Sequence, residues 1–159
     1  MLEHGINCIR YCLDLDVANP PTIEALLLSL GGLGIKHIDV LVHNAGISAP
    51  THPVDPIASA TKAAMMSCFD TNAVGPMLLT QALLPLLRAG GGKRVFFVGT
   101  AMASMAKTTA GGSVSYRSSK AATNMVARCL AGEHGMGTDD GLAVTLCHPG
   151  AAASANSAV

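Results

Sequence analysis

KHIDVLVHNAG, residues 36–46, decides the fold class. Its apolar residues run on almost without alternation, as in a strand of a parallel sheet covered on both faces, and the run stops at Asn44-Ala45-Gly46, a turn. Upstream, INCIRYCLDLDV (6–17) is rich in β-branched and apolar residues and predicts a strand. NPPTIEALLLSLGGLG lies between the two, with prolines suited to a helix start, leucines for a buried face and Gly31–Gly34 as the stop.

Downstream, residues 47–60 hold three prolines and read as a loop with one turn of helix. A long helix is predicted from Thr61 to Arg88, interrupted or bent near Gly75-Pro76. A third strand follows over Arg94–Gly99, then a small-residue loop from Thr100 to Ser113 and a helix over 114–134. GLAVTLCHPG (141–150) is a fourth strand, and AAASANSAV a low-complexity end. This alternation builds an α/β domain with a parallel sheet and helices on both faces. Ligands of such sheets bind at the carboxyl ends of the strands. HNAG, GTAMAS and HPG all sit at predicted strand ends, which points to one shared cleft.

The chain has 159 residues, half of them hydrophobic and 13% charged, enough for one folded domain with a core. Formal net charge is zero, so neither nucleic acid nor an anionic membrane finds a basic field here. The longest apolar run, near Met77–Leu87, is broken by Thr80, Gln81 and Pro85 and is too short to span a bilayer. No signal-peptide pattern is visible in MLEHGINCIRYC. The five scattered cysteines (Cys8, Cys12, Cys68, Cys129, Cys147) read as reduced, mostly buried thiols, and the expected location is cytoplasmic.

SYRSSKAATNM (115–125) places Tyr116 and Lys120 one helical turn apart on one face. A tyrosine ordinarily titrates near pH ~10 and is a poor acid or base at neutrality. An ammonium one turn away favours the phenolate, so the pair suits proton transfer to or from an alcohol or carbonyl oxygen. Thr100 offers a hydroxyl at a strand end, and Asn72, just before Gly75-Pro76, could support a bound water or the lysine. Each piece alone has a plain reading: a chance Tyr/Lys pair, a helix-bend asparagine, a strand-end hydroxyl, an ordinary turn. His43 and His148 have no partner at metal-ligand spacing and read as packing residues, so no metal is expected.

In order, LDV (15–17), HNAG (43–46), DTNAVGP (70–76), VGTAMAS (98–104), YRSSK (116–120) and HPG (148–150) resemble the short-chain dehydrogenase/reductase (SDR) family over nearly the whole chain to Gly150. The stretch GGSVSYRSSKAATNM is most similar to the sniffer-type carbonyl reductase and C-factor branch. The resemblance implies NAD(P)(H)-dependent hydride transfer to or from a carbonyl or alcohol, with NADP favoured over NAD. Tyr116 would be the acid/base, Lys120 its activator and a ribose ligand, Asn72 the helix residue of a proton relay, and Thr100 the counterpart of the catalytic serine. Asp16 would lie near the adenine, Asn44, Ala45 and Gly46 would line the cofactor, and Pro149 and Gly150 would border the nicotinamide.

The family's opening strand, glycine-rich turn and helix have no counterpart here. GGLG (31–34) and GGG (90–92) both follow a helix, the wrong order for phosphate binding, so impaired NAD(P)(H) binding is expected. The expected architecture is therefore a partial Rossmann-type doubly wound parallel sheet lacking the first βαβ unit and the last strand. Residues 1–150 would form the NAD(P)-binding domain and 151–159 a flexible tail, with the outer edge of the 36–43 strand lying open. A second reading is a catalytically inactive remnant that binds copies of itself or full-length relatives through the helices at 61–88 and 114–134.

Overall fold

The computed structural model describes residues 11–49 and 54–150. Helix α1 (Pro20–Gly32) starts on two prolines, whose missing N–H groups cost nothing in a first turn. It ends where Gly34 takes a positive φ of 72° and the Ile35 N–H closes on the Leu30 carbonyl at 3.0 Å, a left-handed stop that glycine adopts without strain. Strand β1 (Val40–His43) leads into residues 44–49, which have no regular structure. Helix α2 (Lys62–Phe69) opens under the Thr61 hydroxyl, which accepts from Ala64 N–H at 3.1 Å, an ordinary N-cap. Its continuation is one turn of π-helix (Asp70–Val74) and then helix α3 (Gly75–Ala89).

That π turn sits where a bend near Gly75-Pro76 was expected, and Pro76 explains it. Proline has no N–H for the Asn72 carbonyl, and the preceding Gly75 N–H reaches back five residues to Asp70. The tight turn lies against the backbone of Val17: a Cβ on Gly75 would come within 2.5 Å of the Val17 carbonyl oxygen. Strand β2 (Arg94–Val98), a short 3₁₀ turn (Ala101–Ala103), helix α4 (Val114–His134) and strand β3 (Ala143–Cys147) complete the order.

The sheet is parallel in the order β1-β2-β3, with Leu41 opposite Val95 and Val95 opposite Val144. One face is the core. Val95 and Phe97 meet Leu79, Leu83 and Leu87 of α3 and Ala127 and Leu130 of α4, and Ile23 of α1 joins the same cluster. Each leucine so buried contributes about 1.5–3 kcal/mol. Leu87 and Phe97 are fully buried.

Several expectations do not hold in the structure. The continuous apolar run at Ile38–His43 suggested cover on both faces, but alternate residues Val40 and Val42 are 46% and 54% exposed, and the described helices stack on the Leu41–Val95 face only. The strand expected over 6–17 falls partly outside the described residues, and 11–16 is irregular. There the backbone closes locally: Asp16 N–H donates to the Thr22 hydroxyl at 3.1 Å, and Asn19 N–H to the Asp16 carbonyl at 3.0 Å, bonds that compete with a strand ladder. No described strand pairs with the outer edge of β1. The 54–60 segment makes turns and no helix. Cys12 and Cys129 are exposed and Cys147 is half-buried, because they occupy an irregular segment, the outer side of α4 and the edge strand; only Cys68 is buried among the described thiols. Residues 151–159 and Cys8 lie outside the described residues.

Candidate active site

The carboxyl ends of the three strands open into one cleft of about 620 Å³. β1 delivers Asn44, Gly46, Ile47 and Ser48; β2 delivers Val98, Gly99 and Thr100; β3 delivers His148, Pro149 and Gly150. Helix α4 crosses this rim and adds Tyr116 and Lys120. Parallel strands necessarily point these loops the same way, which is why residues so far apart in sequence converge.

Lys120 is 5% exposed, and its ammonium donates to the Val98 carbonyl at 2.9 Å. Burial pushes its pKa below the ordinary 10.5, because desolvation penalises the charged form. Two further donors remain on the same nitrogen. Gly46 lets the β1 loop come close: a Cβ there would sit 3.2 Å from both the Lys120 Nζ and the Asn72 Oδ1. Tyr116 is half-buried on the cleft wall, and among the described residues none hydrogen-bonds its hydroxyl. Thr100 accepts from Met102 N–H at 3.2 Å, which turns its side chain into the start of the 3₁₀ turn and leaves its hydrogen to donate.

Asn72 lies behind the cleft and is 1% exposed. Its Oδ1 accepts from Ile47 N–H, and its Nδ2 donates to the Ile47 carbonyl and to the Ser119 hydroxyl, all at 2.8 Å. Both of its N–H donors and one lone pair of Oδ1 are thereby used on protein groups, so the side chain clamps the β1 loop to α4, and the second lone pair of Oδ1 stays available as an acceptor. Ser119 in turn donates to the Tyr116 carbonyl at 2.9 Å.

Of the residues singled out from sequence, Asn44, Gly46, Thr100, Tyr116, Lys120, Pro149 and Gly150 share the cleft wall, with Asn72 in contact behind it. Ala45 is exposed within the same loop and is not part of the wall. Asp16 is exposed at the start of α1, where its carboxylate accepts from Ala18 N–H at 2.9 Å, and it does not line the cleft. His148 lines the cleft and is exposed, contrary to the packing reading, because it follows the last residue of an edge strand. His43 does pack: it is 6% exposed, stacked on Phe97 with ring centroids 4.5 Å apart, with Nε2 2.8 Å from the Thr80 hydroxyl.

Three supporting residues went unseen in the sequence. Ser119 and Thr123 extend the Tyr116–Lys120 stripe at i+3 and i+7, a spacing that marks them once the stripe is followed. Asp55 carried no signal. It is 3% exposed, and its Oδ2 accepts from the Ser115 N–H at 3.1 Å and from the Ser115 hydroxyl. A carboxylate in this place fastens the loop to the first turn of α4, where the helix favours negative charge.

The family model for short chain dehydrogenase matches residues 9–158. The C-signal protein of Myxococcus xanthus is 40% identical over 116 residues, covering 71% of this chain and 64% of its own length. A 1-hydroxy-2-glutathionyl-2-methyl-3-butene dehydrogenase of Rhodococcus is 34% identical over 140 residues, covering 88% of this chain and 58% of its own. Among solved structures, the NADPH-bound carbonyl reductase from chicken fatty liver superposes with a TM-score of 0.75 at 28% identity, covering 86% of this chain and 56% of that one. The carbonyl reductase Sniffer of D. melanogaster gives 0.76 at 25% identity, covering 87% and 58%. The chain thus spans about three-fifths of the length of these relatives.

Proposed function

Because the chain belongs to the short-chain dehydrogenase/reductase family, we propose that its cleft reduces a small carbonyl compound, or oxidises the corresponding alcohol, with a nicotinamide cofactor, NADPH being favoured over NADH by the similarity to an NADPH-bound carbonyl reductase. The observation that carries this reading is the convergence of Tyr116, Lys120 and Thr100 on one wall at the strand ends. When bound, the cofactor supplies a hydride to the carbonyl carbon. The chain's own part is the proton. The Tyr116 hydroxyl gives its hydrogen to the carbonyl oxygen as that oxygen becomes an alcohol, and the Thr100 hydroxyl holds the same oxygen by a hydrogen bond.

Lys120, tied to Val98 at 2.9 Å, keeps two N–H donors for a ribose hydroxyl and presents positive charge one turn from the phenolate that is left. Asn44, Gly46, Pro149 and Gly150 fit the nicotinamide end of the cofactor, with Gly46 providing room that a Cβ would fill. Among the described residues no glycine-rich turn runs from a strand into a helix to cradle a pyrophosphate. Gly31 and Gly32 end α1, and Gly91 and Gly92 donate to Asp39 at 2.8 and 2.9 Å. The fit is therefore to the nicotinamide ribose half.

Substitution Tyr116→Phe removes the proton donor and leaves the ring. Following NADPH oxidation against a panel of small aldehydes and ketones, the wild-type chain turns over, and Tyr116→Phe loses about 10²–10⁴-fold in kcat with KM little changed. A Tyr116→Phe chain as active as wild type sinks the reading.

A second reading, an inactive chain acting by association with copies of itself or with longer relatives, draws on one observation. A groove of about 670 Å³ runs between α3 and α4, lined by Met77, Leu84, Met125 and Cys129. Met77 and Met125 are 43% and 62% exposed, and exposed apolar surface of this kind suits a protein partner. Concentration-dependent pairing that Met125→Glu abolishes, in a chain without turnover, favours this alternative.

A further inference from the structure

The stretch DTNAVGP (70–76) contains a built-in defect. In an α-helix the carbonyl of residue 72 receives the N–H of residue 76, and residue 76 is a proline. The carbonyl is shut off from bulk solvent, since Asn72 is 1% exposed. The donor comes from another helix: the Thr123 hydroxyl lies 2.7 Å from the Asn72 carbonyl oxygen, and Thr123 is 2% exposed.

A hydroxyl has one hydrogen, and a second acceptor competes for it. The Ser119 carbonyl, four residues back in α4, is 3.0 Å away. That carbonyl already holds the helical N–H of Thr123, whereas the Asn72 carbonyl has no helical N–H at position 76. The hydrogen therefore belongs on Asn72. Helix α4 consequently grips Asn72 at two points one turn apart, Ser119 on the side-chain amide and Thr123 on the main chain. Tyr116, Ser119, Lys120 and Thr123 occupy one stripe at i, i+3, i+4 and i+7.

We propose that Thr123 is a positioning residue: its hydroxyl stands in for the N–H that Pro76 lacks, fixes the π turn, and so holds Asn72 on Ile47 and the Gly46 loop against Lys120. The geometric part stands on its own, and its catalytic consequence rests on the oxidoreductase reading above.

A double-mutant cycle tests it. Thr123→Val keeps the shape and removes the donor; Thr123→Ser keeps the donor; Pro76→Ala restores the missing N–H. A buried carbonyl left bare lowers the melting temperature by roughly 3–10 °C in Thr123→Val, whereas Thr123→Ser stays close to wild type. In the Pro76→Ala background the same Thr123→Val change costs less than half as much, because the N–H restored at that position now supplies the bond. Where the chain turns over, kcat falls about tenfold in Thr123→Val with the carbonyl KM unchanged, and Pro76→Ala restores it in the same proportion.

Equal losses from Thr123→Val with and without Pro76 overturn the proposal and make Thr123 a packing residue. So does a Thr123→Ser variant as damaged as Thr123→Val. A wild-type chain without turnover defeats the oxidoreductase reading alone, since the melting cycle still decides what Thr123 does.

Discussion

The Lys120 ammonium donates to the Val98 carbonyl at 2.9 Å, so the residue that faces the cleft from α4 is also tied to the last residue of β2. The bond fixes the height of the lysine above the strand ends. It also accounts for a nearly buried ammonium: burial pushes the pKa down, and a carbonyl oxygen partly replaces the lost water.

Substitution Lys120→Arg preserves the charge and fails all the same. The planar guanidinium is larger and forked. It has to fit beside Gly46, where even a Cβ position lies only 3.2 Å from the lysine Nζ. NADPH affinity and kcat each fall at least tenfold, measured by titration and by initial rates. Wild-type values in Lys120→Arg place the lysine outside the cofactor site.

Gly46→Ala probes the same close approach from the loop side. The new Cβ lies 3.2 Å from two buried, engaged atoms, Asn72 Oδ1 and Lys120 Nζ, neither of which is free to move away. Overpacking of this kind costs about 1–3 kcal/mol. Both a lower melting temperature and weaker NADPH binding follow, whereas Gly31→Ala, with nothing within 4 Å of the new Cβ, leaves both in place.

His43 makes stability depend on pH. The Thr80 hydroxyl donates to the Pro76 carbonyl at 2.8 Å, so toward His43 it accepts. That makes Nε2 the protonated nitrogen of a neutral ring. Burial lowers the pKa from 6.5 to about 4. Between those values the unfolded chain binds a proton that the folded chain refuses, so the contribution is full above pH 6.5 and declines as pH falls toward 4. At about 1.36 kcal/mol per pH unit, that fall amounts to about 3 kcal/mol. Urea unfolding of wild type and His43→Asn, at pH values just above and well inside this window, reads it. The variant lacks most of the slope, and parallel slopes contradict the assignment.

Much of this was readable in advance. Tyr116 and Lys120 shared a helical face because their spacing is four, and the disturbance near Gly75-Pro76 followed from a missing N–H. The order of strands and helices placed the three loops at one end of a parallel sheet. What escaped depends on pairings across the chain. Nothing local to Thr123 says that the carbonyl it serves is fifty-one residues away, and Asp55 sits in a proline-flanked loop with no periodicity to mark it. The apolar run at Ile38–His43 was right about a strand, yet periodicity reports what each residue can tolerate and not which face is covered; Val40 and Val42 stand exposed. INCIRYCLDLDV has strand composition, but strand propensity is only a preference until a neighbouring strand offers its hydrogen bonds.

Adjacent residues at the end of α3 separate packing from surface charge. Leu87 is fully buried, so Leu87→Ala costs about 2–5 kcal/mol through lost burial and a cavity. Arg88 pairs with Asp140 at 2.7 Å, but its side chain is 45% exposed. An ion pair so open to solvent is screened, so Arg88→Ala costs far less than Leu87→Ala, and its small effect shrinks further in high salt. Chemical denaturation of the two variants at low and high ionic strength checks the contrast.

The central claim is that this cleft takes a nicotinamide cofactor, and titration of the 159-residue chain with NADPH and NADH tests it most directly. Binding is followed by cofactor fluorescence and by the melting temperature, which a ligand specific for the folded state raises. The expected result is saturable binding at micromolar NADPH, and loss of the shift in Lys120→Arg. A cooperatively folding chain whose fluorescence and melting temperature respond to neither cofactor contradicts it.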